Sequence, residues 1–221
     1  MGKSNQKVVA IYDPPYGIDI VNTNKSKGSI GFGGKLGFIG AKGMVDVNAY
    51  FPIIGDETTE VAKKCFSITK NLGIDRMIIF GGNYMTDFLP PSSCWIIWDK
   101  RVDIPSNNFA DCEIAWTSFK KPSRIIRHKW SGLLREGDRK TELIKRVHPT
   151  QKPVGMLIEI IKQFTQPQDI VLDLFLGSGS TLIAAEKTGR IFYGMEIDER
   201  YVDVILKRYE DYTGTKAIKL G

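Results

Sequence analysis

An apolar run, Asp169-Ile170-Val171-Leu172-Asp173-Leu174-Phe175, passes straight into Leu176-Gly177-Ser178-Gly179-Ser180-Thr181 and a helical stretch, Leu182 to Lys187. After Gly189 a second apolar run, Ile191 to Ile197, reaches acid at Glu196, and Asp198 then caps a long predicted helix, Glu199 to Tyr212. Strand, glycine turn, helix and acid-ended strand make the mononucleotide half of a Rossmann-type fold. Gly177 and Gly179 let backbone N–H groups approach a carboxylate or phosphate at a helix N-terminus. Glu196, 17 residues after Gly179, is spaced to hold both hydroxyls of a ribose. A glycine turn alone suits NAD equally well. Two features disfavour NAD: Leu182 stands where the third glycine of the dinucleotide pattern belongs, and no second nucleotide half follows.

The other end of the chain carries a different chemistry. Val8-Val9-Ala10-Ile11-Tyr12 reads as a buried strand, stopped by Asp13-Pro14-Pro15-Tyr16. A carboxylate, two rigid residues and an aromatic ring thus project from the carboxyl end of a strand, where ligands bind in open α/β sheets. The exocyclic amine of adenine or cytosine is a poor nucleophile because its lone pair is delocalised into the ring. Two acceptors holding its N–H groups, the Asp13 carboxylate and the Pro14 C=O, would favour the pyramidal form and bring that lone pair out. Tyr16 would stack on a base taken out of the helix. The competing reading is an ordinary Asp-Pro surface turn.

Size and composition fit one soluble domain with a sizeable core. No apolar run approaches membrane-spanning length, and Met1 to Lys7 lacks a signal-peptide core, so a cytoplasmic protein is expected. Cys65, Cys94 and Cys112 are scattered reduced thiols, and with only His128 and His148 besides, no zinc site is expected. The net charge of +6 is localised: residues 120–146 hold ten Lys/Arg against three acids, a net +7. A basic segment interleaved with Ile125, Ile126, Trp130, Leu133 and Leu134 is what phosphate contact requires, although most charge runs are solvated faces.

Between these features the chain reads as alternating elements. Residues 17–49 form a Gly-, Asn- and Lys-rich loop that either closes over cofactor and base or is a solvated surface loop. Thr58 to Leu72 reads as a helix with Val61, Ala62, Cys65, Ile68 and Leu72 on its buried face. Arg76–Phe80, Cys94–Trp98 and Asp111–Phe119 read as strands, with a helical turn around Thr86–Leu89. Trp95, Trp98 and Trp116 are expected in the core. Pro153 opens a helix to Phe164 that buries Met156, Leu157, Ile160, Ile161 and Phe164, and Lys216–Leu220 is a candidate closing strand.

Three segments in order, Asp13-Pro14-Pro15-Tyr16, His148-Pro149-Thr150-Gln151-Lys152-Pro153, and Asp173 to Thr181 with Glu196 behind, resemble the S-adenosylmethionine-dependent DNA amino-methyltransferases whose catalytic half precedes the cofactor half. Gly81-Gly82-Asn83-Tyr84 and Trp95 to Lys100 resemble the central strands of phage and prophage members. The resemblance covers most of the chain. It implies an α/β Rossmann-like methyltransferase fold, a single mixed sheet flanked by helices. Residues 1–119 would be the catalytic half, 120–147 a basic DNA-recognition segment and 148–221 the cofactor half. Asp13, Pro14, Pro15 and Tyr16 would hold the target base. Asp13, Thr150, Lys152, Asp173, Phe175, Gly177, Ser178, Gly179, Glu196 and Ile197 would surround S-adenosyl-L-methionine, Glu196 at its ribose. Lys120, Lys121, Arg124, Arg127, Lys129, Arg135, Arg139 and Lys140 would meet double-stranded DNA. The implied reaction is methylation of adenine N6, with cytosine N4 or a DNA-binding pseudoenzyme as alternatives. Asp-Pro-Pro-Tyr is the form usual among adenine enzymes, whereas cytosine enzymes more often begin with Ser. The setting would be the cytoplasm of a bacterium or phage-infected cell, as a monomer or homodimer, with or without a restriction partner. Members usually carry a strand and a Gly-Asp segment before the DPPY strand; here six residues precede Lys7, and Ala217–Leu220 is the candidate to take that position in the sheet.

Overall fold

The computed structural model describes residues 6–18, 54–107, 110–131, 134–137 and 150–220. In chain order these form β1 (Val8–Tyr12), α1 (Glu60–Asn71), β2 (Met77–Phe80), a 3-10 turn (Gly82–Tyr84), β3 (Trp95–Asp99), β4 (Cys112–Thr117) and β5 (Arg124–Arg127). There follow β6 (Trp130–Ser131), β7 (Leu134–Arg135), α2 (Val154–Phe164), β8 (Ile170–Asp173), α3 (Ser180–Lys187), β9 (Ile191–Gly194) and α4 (Glu199–Thr213). Seven strands make one mixed sheet in the order β5-β3-β4-β2-β1-β8-β9, and β6 and β7 form a separate hairpin. Only β4 runs against the rest of the large sheet.

β1 and β2 lie mid-sheet with both faces covered, which is why Val8–Tyr12 and Met77–Phe80 are continuous apolar runs rather than alternating ones. On one face Val9, Ile11, Ile78, Ile96, Trp98 and Ala115 pack under α2 and α3; on the other Ala10, Tyr12, Met77, Ile79 and Trp116 meet α1. Trp98 and Trp116 are buried as expected, and Trp95 is half-buried. The register pairs Val8 with Ile170 and Ala10 with Leu172. The DPPY turn after β1 therefore stands beside Leu174 and Phe175 after β8. From β1 the sheet continues through β2 on one side, and from β8 through β9 on the other, so the two carboxyl ends flank a topological switch point, where a ligand crevice opens.

Three expectations need correction. The buried face of α1 is Ala62, Phe66 and Thr69, while Val61, Ile68 and Leu72 are exposed. The aliphatic stripe loses to a single aromatic: Phe66 packs edge-on against Trp116 at 5.8 Å and beside Phe88 at 6.1 Å, and burial of one ring outweighs smaller side chains at the helix margin. Pro153 is the extended residue before α2, with ψ of 134°, rather than its first helical residue. Lys216–Leu220 forms no strand. Glu210 draws the segment back onto the end of α4, accepting from Lys216 Nζ at 2.6 Å and from the Ala217 N–H at 3.1 Å, and Ile218 and Leu220 stay exposed. The place beyond β9 in the sheet is thus not filled by this segment.

Candidate active site

The DPPY turn is held in shape by a residue absent from the sequence reading. Asp56 accepts hydrogen bonds from the Tyr16 and Gly17 N–H groups at 3.0 and 3.1 Å, and its side chain is buried beneath the turn. Asp13 projects from the end of β1 on the same sheet face as Ile11. Its Oδ1 accepts the Tyr16 hydroxyl and its Oδ2 the Lys152 ammonium at 2.5 Å. The Tyr16 ring stacks on Tyr84 at 5.3 Å and 17°. Part of the aromatic surface expected for a base is therefore covered by a second, half-exposed tyrosine.

Tyr16 reaches this position because residue 81 is glycine. A Cβ at Gly81 would sit 2.2 Å from Tyr16 Cε1, and the backbone there has φ of +71°. Gly81→Ala is expected to destabilise the fold by about 1–3 kcal/mol and to expel the tyrosine ring. A fall of several degrees in Tm with a changed near-ultraviolet circular dichroism spectrum would record both; an unchanged Tm would refute the close packing.

Lys152, from the segment before α2, is 9% exposed and lies between two carboxylates. Its Nζ is 2.5 Å from Asp13 Oδ2 and 3.2 Å from Glu113 Oε2, and 5.2 and 5.9 Å from the Phe80 and Tyr16 ring centroids. Glu113 Oε1 takes Lys100 Nζ at 3.2 Å. Glu113 was not anticipated. It enters the site because β4 runs antiparallel, so its first residues lie at the same end of the sheet as the last residues of β1. The only sequence signal is a carboxylate in register with Ala115 and Thr117, both fully buried, on one face of an otherwise apolar strand.

Charges in this cluster titrate abnormally. Burial raises Asp13, the nearby Glu113 charge adds to that, and the Lys152 ammonium only partly offsets it. Burial alone would also raise Glu113, but Lys152 and Lys100 outweigh it and hold it below the usual glutamate range. Lys152 is held above its ordinary value because Asp13 and Glu113 outweigh its desolvation. Burial and the adjoining Asp13 charge lift the Tyr16 phenol well above its usual range, so it stays protonated as a donor.

Across the crevice, the glycine turn keeps the form expected from its sequence. Gly179 caps α3 at φ of +79°, a left-handed conformation suited to glycine. Glu196 Oε2 accepts the Gly177 N–H at 2.6 Å and Oε1 the Asp198 N–H at 3.0 Å, which fixes the carboxylate at the mouth of the turn with lone pairs left for two hydroxyl donors. Asp173 is buried, accepts the Phe175 N–H at 2.9 Å and is bonded by Thr181; burial pushes its pKa up to about 7, against those two hydrogen bonds, with Asp13 and Glu196 adding repulsion. Phe175 leans on Tyr12 at 5.8 Å. The Ser178 hydroxyl faces Ser180 at 3.2 Å, and its C=O accepts from Arg208. Thr150 is partly exposed at the start of its described segment, and Ile197 is 75% exposed beyond β9. Two fixed acids around a glycine turn suit a ligand with a vicinal diol and a positive charge.

The predicted basic residues divide between the two ends of the sheet. β5 is parallel to β1, so Arg127 and the following Lys129 lie at the Asp13 end, where the β6–β7 hairpin stacks Arg135 over Trp130 at 4.9 Å. Lys120, Lys121 and Arg124 lie at the opposite end; Lys121 donates to the Gln163 C=O at the far end of α2. Lys129 pairs with Asp103 at 2.5 Å. Arg139 and Lys140, with His148, Pro149 and most of the loop 17–49, lie outside the described residues. Among the described residues no cluster of three His, Cys, Asp or Glu is arranged to hold a metal, and no helix is long and apolar enough to cross a membrane.

A profile of the DNA methylases that modify adenine N6 or cytosine N4 matches residues 9–207, and the chain belongs to that family. Among curated relatives, the type II methyltransferase M.HinfI of Haemophilus influenzae is 39% identical over 138 residues, covering 52% of this chain and 38% of the relative. The type II methyltransferase M2.MboI of Moraxella bovis is 33% identical over 132 residues, 59% of this chain and 46% of the relative. The aligned segments thus span less than half of each of these proteins. Among solved structures, a complex of M1.HpyAVI with SAM superposes with a TM-score of 0.52 at 24% identity, over 93% of this chain and 90% of the other. The cytosine-N4-specific PvuII DNA methyltransferase gives 0.51 at 15% identity, over 92% and 80%. These two likenesses establish the shared fold.

Proposed function

We propose that the protein transfers a methyl group from S-adenosyl-L-methionine to the N6 amine of an adenine extruded from double-stranded DNA. The observation that carries this reading is the pairing, across one switch-point crevice, of the Asp13–Tyr16 turn with the Gly177–Glu196 unit. The donor set fits the cofactor: Glu196 for the ribose hydroxyls, Asp173 for the positively charged methionine part, and the turn from Phe175 to Gly179 around it. When bound, the cofactor supplies an activated methyl group whose carbon–sulfur bond breaks with its electron pair left on sulfur. Asp13 and the Pro14 C=O accept the two N–H groups of the target amine and aim its lone pair at the methyl carbon, to which the new nitrogen–carbon bond forms. The amine then sheds one proton, through Asp13 or directly to water. Orientation accounts for much of the rate, because the methyl donor needs no further activation. Tyr16 covers the base, with exposed Tyr84 giving way to it.

Adenine is preferred over cytosine because the turn begins with Asp13 rather than Ser. The relationship to cytosine-N4 enzymes within the family keeps that base as the second reading. Nucleoside mass spectrometry of unmethylated bacterial DNA after incubation with labelled cofactor separates them. N6-methyladenine is expected; N4-methylcytosine would overturn the base assignment and leave the chemistry standing. No methylated nucleoside, despite cofactor binding, would favour a DNA-binding protein without turnover. The reading sets the protein in a bacterial or phage-infected cytoplasm.

The division of basic residues gives a second expectation. Arg127→Ala should reduce the slope of log affinity for DNA against log salt by about 1, whereas Arg124→Ala, at the end remote from Asp13, should leave it unchanged. Equal slopes for both variants would move the DNA-binding face elsewhere.

A further inference from the structure

Each Asp13 oxygen already holds one donor before any base arrives: Tyr16 donates to one and Lys152 to the other. A target amine would share that carboxylate with a buried ammonium 2.5 Å away, and it meets a stronger acceptor when one donor withdraws. Tyr16 is three residues from Asp13 on the same rigid turn, whereas Lys152 comes from another segment. The ammonium has somewhere to go. Glu113 Oε2 is buried and already 3.2 Å from the ammonium, a longer ion pair than the 2.5 Å contact to Asp13. The longer contact leaves the ammonium room to close on Glu113, whose buried oxygen gains from a full hydrogen bond. Lys100 on the other Glu113 oxygen and the Phe80 and Tyr16 rings around Lys152 leave the lysine little room except between the two acids.

We propose, on the methyl-transfer reading above, that Lys152 is a displaceable stand-in for the target amine and Glu113 the positioning residue that receives it. As the base docks, the Lys152 ammonium leaves Asp13 Oδ2 and takes a directed hydrogen bond to Glu113 Oε2. The exchange moves no proton and no charge in or out of the cluster: two carboxylates and two ammonium groups remain. Without the base, Lys152 keeps Asp13 paired and in place. With it, the carboxylate is handed over and Lys152 is never stranded.

The test is steady-state methyl transfer to unmethylated bacterial DNA by the wild type, Glu113→Gln, Glu113→Asp, Lys152→Gln and the double Gln variant, with cofactor affinity by calorimetry and Tm for each. Glu113→Gln should raise the KM for DNA about tenfold or more, the lower range for losing a charge-assisted hydrogen bond, with cofactor affinity little changed. Its acid limb in kcat/KM should move to lower pH. Asp13 would lose the repulsion of Glu113 and keep Lys152 to itself, with Tyr16, Lys100 and Asp173 the other ionisable groups around the pair. Glu113→Asp, which retains the charge, should recover most of the loss. In the Lys152→Gln background, Glu113→Gln should cost less than about twofold, since the exchange is already gone. If Glu113→Gln folds poorly, Lys152→Gln decides alone: loss of the competitor lowers the KM for DNA severalfold, whereas loss of a mere structural prop raises it. An active wild type with additive losses overturns the exchange and spares the methyl-transfer reading. A wild type that binds cofactor and methylates no DNA overturns both.

Discussion

Asp13→Asn lowers methyl transfer by about 10²–10³-fold while leaving cofactor affinity within about threefold. The substitution keeps the shape of the turn and an oxygen for the Tyr16 hydroxyl, but removes the charge that makes one acceptor strong. Preorganised electrostatic groups at a reacting centre are worth about that much when one is removed. The loss should fall mainly on kcat, because an amide accepts a ground-state hydrogen bond adequately and fails when positive charge develops on the amine. Lys152 stays paired through Glu113, so the fold should survive; Asp13→Ala additionally leaves the tyrosine hydroxyl without its acceptor and should be less stable. Labelled-methyl transfer, calorimetric cofactor binding and Tm on the same preparations decide the matter. A rate within tenfold of wild type, with cofactor bound, would remove the DPPY turn from the chemistry.

Much of this site was legible in the chain because its parts are local. Strand, glycine turn, helix and acid lie within residues 169–198, and each was read from periodicity and turn chemistry that tertiary contacts then had no reason to override. The Asp198 cap, for example, accepts the Arg200 N–H at 3.0 Å as its position implied. What could not be read was made by distance in sequence. Glu113 meets Lys152 only because one strand of seven is antiparallel, and nothing in its neighbours announces that. Asp56 braces the DPPY turn from 40 residues away. The same limit explains the basic segment: its charge count was visible, but β5 inside it, running between opposite ends of the sheet, separates Arg124 from Arg127 by about 10 Å along the strand. The face of α1 failed for another reason. Periodicity ranks residues by hydrophobicity, and packing chose the ring that fits against Trp116.

Asp173→Asn should make the free protein more stable at alkaline pH and a worse binder of its cofactor. In the fold the Asp173 carboxyl has its pKa pushed from an ordinary 3.8 up to about 7, chiefly by burial. Between those values the folded protein holds a proton that the unfolded chain has released. This contribution is therefore fully present below about pH 4, falls as pH rises, and is gone above about pH 7. The span corresponds to roughly 4 kcal/mol as an upper figure. Asparagine keeps an oxygen for the Phe175 N–H and carries no charge. Its Tm should exceed the wild type at pH 8 by several degrees, at about 2–4 °C per kcal/mol, and the difference should close toward pH 4. The buried charge has a use in the proposed reaction. A positively charged ligand group beside Asp173 would restore its ionisation, so wild-type binding below pH 7 should release a proton, measurable as a dependence of the calorimetric heat on the buffer's ionisation enthalpy. In Asp173→Asn that release should vanish and the Kd for S-adenosyl-L-methionine rise by about tenfold or more, the loss of one charge-assisted contact. A variant that gains alkaline stability but binds as tightly as wild type, with the same proton release, would show that Asp173 strains the fold for some purpose other than holding the cofactor.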